Sequence, residues 1–198
     1  MPRPSLFPFC RLLVLAGFLA AAMALPRPAR AGADFAESLK ALVEASADRL
    51  TLAHTVALSK WDSGAPVEDG GREAVVIMAA ISQGEAMGLE RLWVAGVVRA
   101  QIEANKMVQY GLLADWSRGA AVPRHEPVDL VHDVRPQLDA IQKTMMAALA
   151  GVAPMRARKT CRGEIAAAVN DYFYRHQLPM GTLDAWALDR ALAGVCGG

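Results

Sequence analysis

Beyond residue 33, apolar side chains return every three or four positions, and no stretch alternates as a strand does. From Phe35 the series runs through Leu39, Leu42, Val43, Leu50, Ala53, Val56 and Ala57, which predicts a helix over roughly 34–61. The turn SGAPVEDGG ends it, because Gly64 and Pro66 both oppose continuation. Asp69 is a capping residue for a second helix, carried by Val76, Met78, Ala79 and Ile81 to about Met87 and stopped by Gly88. A third helix is expected from about Glu90 to Trp116. The segment SRGAAVPRHEP, with two prolines, reads as a linker. After it, Val134, Leu138, Ile141, Met145 and Leu149 mark a fourth helix at i, i+4, i+7, i+11 and i+15. Pro136 either sits in its first turn or kinks it. Two shorter helices, near 160–176 and 182–194, complete an all-α domain of three long core helices and a C-terminal helical extension.

The segment before residue 33 follows a different pattern. Arg3 and Arg11 precede the apolar run LLVLAGFLAAAMAL, and Ala29-Arg30-Ala31 offers small residues for a peptidase. This is the layout of a secretory signal peptide. Fourteen apolar residues fall short of the roughly 20 that span a bilayer, which speaks against an anchor. The expectation is therefore export, periplasmic or secreted, with cleavage after Ala31 and Ala24 as the alternative cut. Residues 32–198 form the mature helical domain, 32–118 its first three helices and 119–198 the extension, with no membrane association after cleavage.

Removing the signal changes the charge. It takes four of the 21 basic residues and none of the 20 acidic ones, leaving a mildly acidic chain with no global field for nucleic acid. It also takes Cys10, so Cys161 and Cys196 remain, and in an exported protein they most simply form one disulfide. Closing a loop of that length is worth about 3–4 kcal/mol. His54, His125, His132 and His176 show no ligand spacing with each other or with the cysteines, so no metal site is expected.

Three polar features interrupt the apolar stripes. Arg49 and Lys60 lie about three turns apart and only about 20° apart in direction, with Ala53 and Val56 between them and roughly 16 Å between their Cβ atoms. Two long cations at the ends of an apolar floor suit a small dianion; equally, both can snorkel along a solvated edge. On the third helix Asn105 and Gln109, with Gln101 beside them, fall within an apolar face. Buried amides must find partners, either across the helix interface or on a ligand. Asp69, Arg72 and Glu73 crowd the start of the second helix, where a carboxylate can also simply cap. No nucleophile triad or phosphate loop is evident. Chemistry at such a site would rest on holding one conformer and stabilising developing charge.

The stretches ADRLTLAHTVALSKW, PVEDGGRE and AQIEANKMVQYGLLADW resemble the all-helical chorismate mutases, and the leader, the extension and the Cys161/Cys196 pair are similar to their exported subtype. The resemblance spans essentially the whole mature chain. It implies a cofactor-free isomerase, usually a homodimer, that converts chorismate to prephenate by a Claisen rearrangement. It also implies that Lys60 and Gln109 donate to the ether oxygen and that Arg49 and a later arginine hold the two carboxylates. Arg135 is the best match for that arginine. Glu73, with Asp69 nearby, would take the ring hydroxyl, and Arg72 would line the pocket. Asn105 stands where the family is expected to carry a small hydroxyl residue. Gln109 stands where some members carry glutamate, and an amide donates at any pH. Two other functions compete: an isochorismate pyruvate lyase on the same scaffold, which would use nearly the same cations but is disfavoured by the extension and the cysteines, and a non-catalytic exported binding protein.

Overall fold

The structure, a computed structural model, describes residues 28–197 and, before them, only Met1, with side chains from Asp34 onward. The expected signal segment and Cys10 lie outside the described residues, apart from the main chain of 28–31. Among the described residues there is no strand. Six α-helices follow one another: α1 (Pro28–Ser63), α2 (Gly70–Ala86), α3 (Arg91–Ser117), α4 (Arg135–Val152), α5 (Cys161–Arg175) and α6 (Leu183–Leu192). A π-helical turn, Leu130–Val134, leads into α4, and a 3-10 turn, Ala153–Met155, leaves it. None of these helices is long and apolar enough to cross a membrane.

The helix ends obey local chemistry. Gly64 takes a positive φ of 67° and donates its N–H back to the Lys60 carbonyl at 2.9 Å, closing α1. Asp69 caps α2 by accepting from the Arg72 N–H at 2.9 Å. Glu90 caps α3 through the N–H groups of Leu92 and Trp93. Pro136 lies in the first turn of α4, where its missing N–H costs no helical bond. The start of α1 lies earlier than apolar periodicity predicts. Residues 28–33 have no apolar stripe but include three alanines, which propagate a helix readily.

Contacts give the helices their directions. Ser46 meets Gln101, Arg49 meets Asn105 and Trp61 meets Trp116 edge-on at 5.7 Å, so α1 and α3 run in parallel. Antiparallel α4 packs along α1, close enough at Gly151 that a Cβ there would collide with Ser38. Helix α6 runs antiparallel along α3, with Leu183 against Gly111 and Gly194, just past its end, against Gly96 and Val97. There the packing is tight: Leu42, Val43, Val94, Val97, Met145, Leu149 and Leu188 are essentially inaccessible. Gln101, also fully buried, donates to Ser46 Oγ at 2.7 Å and to the Ala191 carbonyl at 3.2 Å. For this amide the interhelical explanation holds. The indole of Trp93 donates to the Val195 carbonyl at 3.0 Å, and Cys161 and Cys196 are disulfide-bonded with Cα atoms 5.9 Å apart. One half of the bundle is thus sealed. The other half, between the second halves of α1 and α3, helix α2 and the start of α4, is not.

Candidate active site

A cavity of about 490 Å³ occupies the unsealed half. All eight residues singled out for substrate contact line it: Arg49 and Lys60 from α1; Asp69, Arg72 and Glu73 from the start of α2; Asn105 and Gln109 from α3; and Arg135 from the first residue of α4. Val56 lies on the floor between the two α1 cations, as the spacing predicts.

Charge is unevenly matched. The lining carries six cations and three carboxylates, Asp69, Glu73 and Asp139. Arg49 is the extreme case. Its residue is only 6% exposed, and its Nε is buried with no hydrogen-bond partner. Burial first, and then the neighbouring Arg72 charge, lower its pKa to about 10, with Asp139 opposing. It still carries its charge at neutral pH. A guanidinium held that deep with Asp139 nearby but no direct ion pair among the described residues is costly, and an anion supplied from outside would relieve the cost.

Lys60 is half-buried and donates to the Val67 carbonyl at 2.7 Å, which fixes its ammonium at the turn joining α1 to α2. Burial pushes its pKa down, while Asp69, Glu73 and Glu68 pull it up. An ammonium has three N–H groups, so two remain for a ligand. One oxygen of Asp69 is committed to capping α2, and one oxygen of Glu73 lies 3.5 Å from Lys106 Nζ, so each carboxylate keeps one oxygen for a ligand. Gln109, 4% exposed, donates through Nε2 to Asn105 Oδ1 at 2.6 Å, and its Oε1 is buried without a partner. Asn105 in turn donates through Nδ2 to the Arg49 carbonyl at 3.1 Å.

Several lining residues did not stand out in the sequence. Lys106, with its side chain 11% exposed, bridges Glu103 at 2.8 Å, Glu68 at 3.4 Å and Glu73 at 3.5 Å. The hydrogen bond it donates to Glu103 is the main cause holding its pKa above the ordinary lysine value. Lys106 therefore braces Glu73 at the mouth of the site. Gln142 and Lys143 enter from α4 and Gln83 from α2. Gln142 carried a readable signal: it is a polar residue four positions after Leu138 and three before Met145, inside the α4 apolar face. Among the described residues no cluster suited to a metal ion occurs.

A site with paired deep cations, a neutral amide and a carboxylate can clamp a small dianion and offer hydrogen bonds to its other oxygens. Comparison with known proteins agrees with that chemistry. Residues 40–110 match the family model described as chorismate mutase type II. A secreted chorismate mutase of Mycolicibacterium smegmatis is 32% identical over 177 residues, covering 85% of this chain and 97% of that protein. The secreted chorismate mutase of Mycobacterium tuberculosis is 28% identical over 155 residues, 78% of this chain and 77% of that one. The crystal structure of chorismate mutase from Burkholderia phymatum superposes with a TM-score of 0.76 at 40% identity, covering 83% of this chain and 99% of its own. This chain belongs to the chorismate mutases.

Proposed function

We propose that this chain, a chorismate mutase by family, carries out its reaction in the cavity between α1, α2, α3 and α4. Chorismate has two carboxylates, a ring hydroxyl and an ether bridge. Its rearrangement to prephenate breaks the ether C–O bond and forms a C–C bond within the same molecule, so no external nucleophile or proton is consumed. Arg49 and Arg135 hold the carboxylates through paired guanidinium contacts. Glu73, braced by Lys106, accepts from the hydroxyl, with Asp69 beside it, and Arg72 lines the wall. As the C–O bond breaks, negative charge grows on the ether oxygen, and Lys60 and Gln109 donate to it. Fixed donors aimed at charge that appears only in the transition state lower the barrier without reorganising. Confinement to one conformer supplies the rest.

The buried Arg49 guanidinium, whose Nε has no hydrogen-bond partner, supports this reading most strongly. Residues 32–198 act as a single catalytic domain, since the extension contributes Arg135 and Gln142 to the wall. Relatives named as secreted proteins support export with the leader removed after Ala31, which N-terminal mass determination on the exported protein checks. A homodimer, as the resemblance implies, must leave each cavity open, and sedimentation gives the state. The activity test is incubation of the mature protein with chorismate and direct identification of the product. Prephenate is expected. Release of pyruvate from isochorismate without prephenate from chorismate would instead establish the lyase, and turnover of neither would leave a binding protein.

A further inference from the structure

We propose that Asn105 is a positioning residue that sets which way the Gln109 amide faces, taking its own orientation from the main chain of α1. The proposal rests on the reading that Gln109 donates to the ether oxygen. The geometry is a relay of three groups. The Arg49 carbonyl accepts from Asn105 Nδ2 at 3.1 Å, and Asn105 Oδ1 accepts from Gln109 Nε2 at 2.6 Å. Asn105 and Gln109 are four residues apart on α3, the spacing that stacks side chains on one helix face.

Amides are reversible by a half-turn, and their direction is decided by their partners. Here one end of the relay is a main-chain carbonyl, which can only accept. Reversing Gln109 alone would set two amide oxygens against each other. Reversing Asn105 alone would oppose its oxygen to the Arg49 carbonyl and its nitrogen to Gln109 Nε2. Reversing both still leaves Asn105 Oδ1 facing the Arg49 carbonyl. The observed arrangement is the one in which every contact joins a donor to an acceptor. It keeps Gln109 Nε2 in the donor position, with a second N–H available for a ligand.

Without Asn105, the Gln109 amide has no partner to choose its direction. Half of its orientations would then present Oε1, a lone-pair donor, to an oxygen on which negative charge is growing. The cost falls on the transition state more than on the bound substrate, so it appears in kcat rather than in KM. The simpler role for Asn105, tying α3 to α1, makes a different prediction: its removal would harm the protein whatever residue stands at 109.

The test is a double-mutant cycle with chorismate as substrate, with Tm followed throughout. In the parent protein, Asn105→Leu, which keeps the branched shape but cannot hydrogen-bond, should lower kcat on the order of 10–100-fold, as a misplaced catalytic group does. KM should change far less. In a Gln109→Ala background the same substitution should cost no more than about twofold, because it then has nothing to orient. Asn105→Ser, whose hydroxyl can both donate and accept, should recover part of the kcat that Asn105→Ala loses. Asn105→Ala serves in the cycle if Asn105→Leu does not fold. Equal losses in both backgrounds, or a loss confined to KM, would overturn the positioning role while leaving Gln109 as a donor. If Gln109→Ala alone turns over chorismate like the parent, the underlying reading fails and the proposal fails with it.

Discussion

Gln101 and Gln109 stand on the same face of α3, about two turns apart, and both are buried. Each leaves its Oε1 without a hydrogen-bond partner, but what faces the N–H groups differs. At Gln101, α1 and α6 close in, and the amide spends its N–H groups on Ser46 and Ala191. At Gln109 the helices part, and the amide lines a cavity beside Lys60 and Arg49. One residue type on one stripe therefore has two functions. What separates them is whether a neighbouring helix or open space faces the side chain. The same contrast holds for charge: Lys106 at the rim touches three carboxylates, whereas Arg49 in the depth keeps its Nε without a partner.

The contrast can be broken by substitution. Replacing Lys60 or Arg49 with Ala should have the largest effect, a fall in kcat/KM on the order of 10³-fold or more, because each removes a charged contact from a water-poor site. The folded state of Arg49→Ala should hold up, since a buried cation without a partner is removed. A stopped assay of both variants beside their melting curves checks this; turnover near the parent level would remove them from the mechanism. Arg135→Ala should cost about 10–100-fold, as loss of one guanidinium–carboxylate pair does, and should raise KM. A variant with unchanged KM would place Arg135 on the wall without substrate contact.

The sealed half should answer in stability alone. Removing the disulfide with Cys161→Ser and Cys196→Ser together should cost about 3–4 kcal/mol in denaturant unfolding while leaving per-molecule turnover of the folded fraction intact. A titration of the denatured, unreduced mature protein should find no free thiol.

The pH response sharpens the same division. An amide at 109 donates in any protonation state, so kcat should be flat from about pH 5 to 8. The limit should come from Lys60, whose pKa is lowered chiefly by burial. Its donor form exists below that pKa, so activity should fall only as pH rises into the alkaline range. A steep loss on crossing neutral pH would mean that another group controls the donor.

Much of this was legible in the sequence because helices convert spacing into direction. Arg49 and Lys60 could be placed on one stripe, and Asp69 at a helix start, from periodicity and capping alone. The six elements follow for the same reason, with ends set by Gly64, Asp69 and Pro136. What periodicity does not encode is the neighbour. It puts Asn105 and Gln109 on one face with Gln101 beside them, but says nothing of which of them a neighbouring helix covers. It gives no reason to select Lys106, whose importance comes from Glu68 and Glu73 on a different part of the chain. Arg135 needed the resemblance as well, because its place depends on how a long linker returns α4 to α1.

The two glutamines give the most direct test. Chorismate turnover by Gln109→Ala and Gln101→Ala, each measured against its own melting temperature, separates cavity from core. The account predicts a loss of about 10²–10³ in kcat for Gln109→Ala with little change in stability, by analogy with removing one preorganised donor. Gln101→Ala should lose about 1–3 kcal/mol of stability, as a buried hydrogen-bonding group does, and keep its kcat. Parent-level kcat in folded Gln109→Ala would contradict the assignment of this cavity's donor.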